Sequence, residues 1–129
     1  MFYAPLASDV EAVARQCIDV GIQIHRILGQ GFKEIIYERA FCLELNSRGI
    51  SYESEKPILV RYKSWDIPGH KIDVIVDRKV LVELKAVPKL RSLHHQQVIS
   101  YLRATGLRLG LLMNFNGSTL KAGLRRIVL

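Results

Sequence analysis

At 129 residues, 49% hydrophobic and 24% charged, the chain is sized for one soluble domain, residues 1–129, with a single core. No uninterrupted apolar stretch approaches the roughly 20 residues a membrane helix requires, and "MFYAPLASDVEAVARQ" lacks the basic start and apolar run of a secretory leader. The net charge of +7 is unevenly spread: all 12 acidic residues lie at or before Glu83, whereas Lys85, Lys89, Arg91, Arg103, Arg108, Lys121, Arg125 and Arg126 follow it. Such an asymmetry suits either contact with a polyanion or a solvated surface. Cys17 and Cys42 stand apart, without metal-site spacing, which predicts reduced, buried thiols and a cytoplasmic location.

"SDVE" at 8–11 has the form of a capping box, with Ser8 as N-cap and Glu11 three residues on. Val13, Cys17, Val20, Ile24 and Ile27 then recur at helical spacing, predicting a first helix to about Leu28. "GQG" at 29–31 interrupts it, and a second helix is expected from about Phe32 to Arg48, with Gly49 just past its end. A strand follows within "ISYESEKPILVRYK", where Pro57 points to an edge or a bulge.

The next strand is expected at "HKIDVIVD", with Ile72, Val74 and Val76 on one face and Lys71, Asp73, Ile75 and Asp77 on the other. "DRK" at 77–79 turns it into "VLVELKAV", 80–87. There Val80, Val82, Leu84 and Ala86 share one face, and Leu81, Glu83, Lys85 and Val87 the other. Ser92 can cap a third helix, "LHHQQVISYLRA", closing at Gly106. "LRLGLLMNF" reads as a buried strand, and "LRRIVL" as a last short one after a helical turn near Ser118 to Ala122. A helix between the third and fourth strands implies a crossover, hence an α/β fold with a mixed sheet and helices on both faces.

A carboxylate and an ammonium in the middle of an apolar strand are costly unless paired or bound. The tight hairpin brings Asp73 towards Glu83 and Lys85, and two acids so placed repel one another unless a cation joins them. Mg²⁺ accepts one or two protein carboxylates and fills its remaining positions with water or phosphate oxygens. E-x-K alone is an ordinary strand pair, so the Asp on the preceding strand is what makes the pattern informative. Glu34 lies beside the stripe Tyr37, Phe41, Leu45, where it serves either the helix dipole or a site. His94, Gln97 and Tyr101 share a helix face, as a polar edge or as part of a site.

The D-x9-E-x-K pattern across a hairpin resembles the PD-(D/E)XK nuclease superfamily, and within it the GxxExxY family. "GFKEIIY" at 31–37 supplies Gly31, Glu34 and Tyr37; "HHQQVISYL" supplies His94, Gln97 and Tyr101; "GLRLGLLMNFN" and "LRRIV" are similar to the family's closing segments. The resemblance runs from about residue 8 to 128, with Ile72 standing where the superfamily's name-giving proline precedes the Asp.

It implies a restriction-endonuclease-like αβββαβ core with a mixed central sheet flanked by helices. Asp73 and Glu83 would be ligands of Mg²⁺ (or Mn²⁺), with a backbone carbonyl near Leu84 as a third donor. Lys85 would be the catalytic lysine, and Glu34 and Gln97 auxiliary residues. The implied function is Mg²⁺-dependent hydrolysis of phosphodiester bonds in nucleic acid, DNA favoured over RNA, with Lys89, Arg91, Arg125 and Arg126 on phosphates. The alternative is a nucleic-acid-binding module on the same fold with little or no catalysis. A third class, a structural or protein-interaction domain, predicts a closed salt bridge, Lys85 locked between the two carboxylates, without an open cleft. So small a domain is expected to work as a homodimer or with a protein partner, and not at a membrane.

Overall fold

The computed structural model describes residues 5–129; the first four residues of the leader reading lie outside it. Helix α1 spans Ser8–Leu28 and α2 Glu34–Ser47. Strands β1 (Tyr52–Tyr62), β2 (Trp65–Val76) and β3 (Val80–Lys85) follow, then α3 (Ser92–Thr105), β4 (Leu109–Asn114), a 3₁₀ turn (Lys121–Gly123) and β5 (Leu124–Val128). The five strands lie in the order β1-β2-β3-β4-β5, antiparallel except for β3 and β4, which run parallel across the α3 crossover. This is the expected mixed sheet flanked by helices, consistent with a restriction-endonuclease-like fold.

The sheet separates two apolar layers. On one side Val13, Cys17, Val20 and Ile24 of α1 and Tyr37, Phe41 and Leu45 of α2 pack on Val74, Val76, Val80, Val82, Leu84 and Met113. On the other, Val98, Tyr101 and Leu102 of α3 meet Ile72, Ile75, Leu81 and Leu112. Covered on both faces, β3 and β4 are buried almost throughout, with Lys85 alone half-exposed. Each fully buried Leu, Ile or Val there contributes about 1.5–3 kcal/mol of transfer free energy. Gly110 lets α3 close on β4: a β-carbon there would stand 2.5 Å from Val98 Cγ1.

Several expectations change in detail. The N-cap of α1 is Ala7, with no side-chain cap, so Ser8 and Glu11 form no capping box and Ser8 is the first helical residue. Helix α2 starts at Glu34 rather than Phe32 because Tyr37 holds the preceding loop in place, as described below. The N-cap of α3 is Arg91 rather than Ser92, and its amide donates to His94 Nδ1 at 3.0 Å. Strand β3 stops at Lys85, short of Val87.

Strand β2 begins at Trp65, five residues before the expected start at His70, because its first half pairs with β1 alone. The β2–β3 ladder covers only Val74–Val76, so Trp65–Lys71 and the end of β1 form a two-stranded ribbon beyond the sheet. Ile72 does not share a face with Val74 and Val76; it lies in the α3-side layer with Ile75. The two-residue alternation of β2 slips at Asp73, where its neighbour β1 also departs from regularity, Glu55 having φ +52°.

Candidate active site

The slip at Asp73 coincides with the parting of two strands. The β2–β3 register runs Val76↔Val80, Ile75↔Leu81, Val74↔Val82, and the next pair would be Asp73 and Glu83. Side chains take over there. The Asp73 amide donates to Glu83 Oε1 at 3.0 Å, and the Leu84 amide donates to Asp73 Oδ2 at 2.9 Å. Each acid thus caps backbone that the ladder leaves unpaired, and the two carboxylates are brought together at the mouth of the opening.

Burial makes this arrangement electrostatically uncomfortable. Glu83 is only 3% exposed. Burial, and then the Asp73 charge, push its pKa up to about 8, against the opposing influence of the Asp73 amide and Lys85. Asp73 is raised too, mainly by burial, although the Leu84 amide and Lys85 favour its charged form.

Lys85 lies on the α3 side, two residues beyond Glu83, and donates to Gln97 Oε1 at 3.2 Å. Among the described residues no ion pair within 4.0 Å joins Lys85 to either acid. Gln97 also acts on the Tyr101 hydroxyl, which stands 2.9 Å from His70 Nδ1. Burial and then the Glu83 and Asp73 charges push Tyr101 up to about 12, so it remains a neutral hydroxyl.

From the other side comes α2. Glu34, its first residue, is half-buried, and its charge reaches Asp73 and Glu83. One turn on, Glu38 is buried and also raised to about 8, by burial, then the Asp73 charge and then that of Glu55. Sequence reasoning did not single out Glu38 or Glu55. The signal for Glu38 was present, because Glu34, Glu38, Phe41 and Leu45 recur along one face of α2, and like charges at i and i+4 are unfavourable without a purpose.

The loop before α2 is pinned by Tyr37. Its hydroxyl donates to Gly29 O at 2.7 Å and accepts the Phe32 amide at 3.2 Å, while its ring stacks on Phe115 at 4.5 Å. Gly31 in that loop has φ +111°, a backbone conformation that L side chains avoid. Gly31 and Tyr37 therefore shape the approach of Glu34. At the exit of β3, Asn114 plays a comparable part: Oδ1 accepts the amide of Val87 and Nδ2 donates to its carbonyl.

A model of the PD-(D/E)XK nuclease superfamily matches residues 11–127, which takes in all of these residues. The chain belongs to that superfamily. No match of significance was found among curated proteins or among solved structures. Within this nuclease-superfamily domain both hairpin acids feel the charge of Lys85, Gln97 holds Lys85, and Glu34 and Glu38 approach the acids from the opposite layer.

The basic residues divide. Lys89 and Arg91 are exposed on the segment between β3 and α3. Arg125 donates to the carbonyls of Ala122 and Leu124. Arg126 is not brought to this site: it pairs with Glu11 of α1, on the far layer.

Among the described residues no group of three or more His, Cys, Asp or Glu side chains is placed to hold a metal ion. Asp73 and Glu83 nevertheless suit a hard divalent cation: they are two adjacent carboxylates, repelling one another in a poorly solvated opening, with no lysine between them. No buried side-chain oxygen or nitrogen among the described residues lacks a hydrogen-bond partner. Beside it lies a cleft of about 890 Å³ between the ribbon and α3, lined among others by Ile58, His70, Lys85, Gln97, Tyr101 and Arg103. No helix among the described residues is long and apolar enough to cross a membrane.

Proposed function

We propose that this domain is a divalent-metal-dependent nuclease of the GxxExxY type, hydrolysing phosphodiester bonds in nucleic acid. The observation that carries the reading is the reciprocal bonding of Asp73 and Glu83 across the parted strands, with Lys85 turned to Gln97 instead of neutralising them. A structural salt bridge would place the ammonium between the acids. A purely binding module has no use for two buried carboxylates beside the phosphate it must attract.

Asp73 and Glu83 would hold Mg²⁺ or Mn²⁺. When bound, the ion would supply a Lewis acid for phosphate oxygens and for water. Lys85, steadied by Gln97, presents an ammonium to the developing negative charge. Glu34, whose charge acts on both acids, would orient water there. Lys89 and Arg91 supply phosphate contacts that do not choose sequence.

The test is calorimetric titration of Mn²⁺ and Mg²⁺ into the wild type and Asp73→Ala, beside cleavage of labelled single- and double-stranded DNA and RNA. Metal binding and cleavage that both disappear in Asp73→Ala bear the reading out. Equal metal binding in the two proteins, with no substrate cut, refutes it.

A further inference from the structure

The β1–β2 ribbon has no structural reason to be apolar at its tip, yet Val60, Tyr62, Trp65 and Ile67 are all large and about half exposed. They are ordered. Val60 pairs with Ile67 and Tyr62 with Trp65, so the four side chains form two successive cross-strand pairs on one face of the ribbon. The ladder shifts register between Ile58 and Val60, but both line the cleft that also holds His70, Lys85 and Gln97, which joins this face to the α3-side layer. The strip therefore leads from Lys85 and Gln97, past His70 and Ile58, out to the tip.

The Tyr62 and Trp65 rings lie nearly parallel, 19° apart with centroids at 6.2 Å, and Lys63 Nζ stands 5.5 Å from the Tyr62 centroid. Lys63, Lys85 and Arg103 flank the strip, and Arg61 beside them is 3.5 Å from Asp66. Flat rings and aliphatic side chains bordered by cations match an unpaired nucleic-acid strand, whose bases stack while its phosphates meet the charges. A duplex hides its base faces, and a second copy of this chain would bring the same positive strip against itself. Val60 and Ile67 offer nothing to a ribose hydroxyl but favour the thymine methyl, which selects DNA.

We propose that the β1–β2 ribbon is a stacking arm that holds a single-stranded segment of DNA beside the active site, with Trp65 and Tyr62 against successive bases. This rests on the nuclease reading for the chemistry at Asp73 and Glu83, but not for the binding.

Trp65 is the only tryptophan, so its fluorescence reports the arm directly. Titrations in EDTA use dT12, rU12 and a blunt 12-base-pair duplex, and anisotropy of labelled dT12 is measured for the variants. Expected results are strong quenching by dT12, weaker quenching by rU12 and little by the duplex. Trp65→Ala should weaken dT12 binding about tenfold, and Trp65→Phe should retain most of it. Cleavage with Mn²⁺ is followed in parallel.

Quenching without cleavage overturns the nuclease reading alone. Cleavage with a silent Trp65, or unchanged dT12 affinity in Trp65→Ala, overturns the stacking arm alone. Equal quenching by dT12 and rU12 overturns the assignment to DNA. A dimer in sedimentation with blue-shifted Trp65 emission also overturns the arm, by giving the face to a second copy.

Discussion

Lys85 directs its ammonium at Gln97 Oε1, 3.2 Å away, and among the described residues the two carboxylates of its own hairpin have no ion pair. A lysine so placed is available to a substrate, and its position depends on an uncharged neighbour that does not neutralise it. Lys85→Ala is expected to lower the cleavage rate by about 10²–10⁴. Gln97→Leu, which keeps bulk and removes the acceptor, is expected to cost about tenfold in kcat with little change in KM, measured under single-turnover conditions.

Metal binding is expected to be coupled to proton release. With Glu83 raised to about 8 and Asp73 raised as well, the pair carries at least one proton near neutral pH that a cation must displace. Affinity for Mn²⁺ should rise about tenfold per pH unit between 6 and 8, then level off. Calorimetry in two buffers of different ionisation enthalpy checks the proton count, and an affinity flat across that range contradicts it.

The same groups set the pH dependence of stability. Glu38 and Glu83 have native pKa values of about 8 against ordinary values of 4.5, so the folded chain keeps protons that the unfolded chain has released. Their contribution is fully present below about pH 4.5 and is lost as pH rises through about 8. Without divalent ions the melting temperature should therefore fall between pH 6 and 8.5. Glu83→Gln should flatten that fall and raise stability at pH 8 by about 1 kcal/mol or more, while eliminating cleavage.

Tyr37→Phe removes one bond to Gly29 O and one from the Phe32 amide while leaving the ring on Phe115. About 1–1.5 kcal/mol of stability should be lost, read by urea unfolding. Cleavage should fall further than the residual folded fraction explains, because Glu34 follows directly from that loop.

Basic residues should separate in their salt dependence. Lys89→Ala and Arg91→Ala are each expected to reduce the slope of log affinity against log salt by about 1. Arg126→Ala should leave it unchanged and cost under about 1 kcal/mol of stability, since its partner is the half-exposed Glu11.

Much of this was legible in the residues, and the failures have physical causes. The helices of the α1–α2 layer follow from Val13, Cys17, Val20 and Ile24 at regular spacing, and the hairpin from a short turn between two apolar runs. The β2 half of the ribbon tip was missed because Pro68 and Gly69 argue against a strand, whereas here they sit where the β1–β2 register shifts. Ile72 was given the wrong face because strict alternation holds only while the ladder does, and it breaks at Asp73. Glu38 was passed over because a helical carboxylate is ordinarily a solvated one, although its place on the Phe41 and Leu45 face pointed inward, where Asp73 and Glu55 act on it. Arg126 was expected on phosphates with Arg125, but successive residues of a strand point to opposite sides, and Arg126 pairs with Glu11.

Asp73, Glu83, Lys85 and Gln97 come from one uninterrupted stretch, joined by a three-residue turn and a short connection to α3. Little chain entropy is spent in assembling them, so this segment can organise early during folding, before α1 and α2 cover the far layer. The proposed reacting groups thus travel as a compact cassette. Divergence in α1 or the ribbon can alter the surroundings of these groups while leaving their mutual arrangement intact.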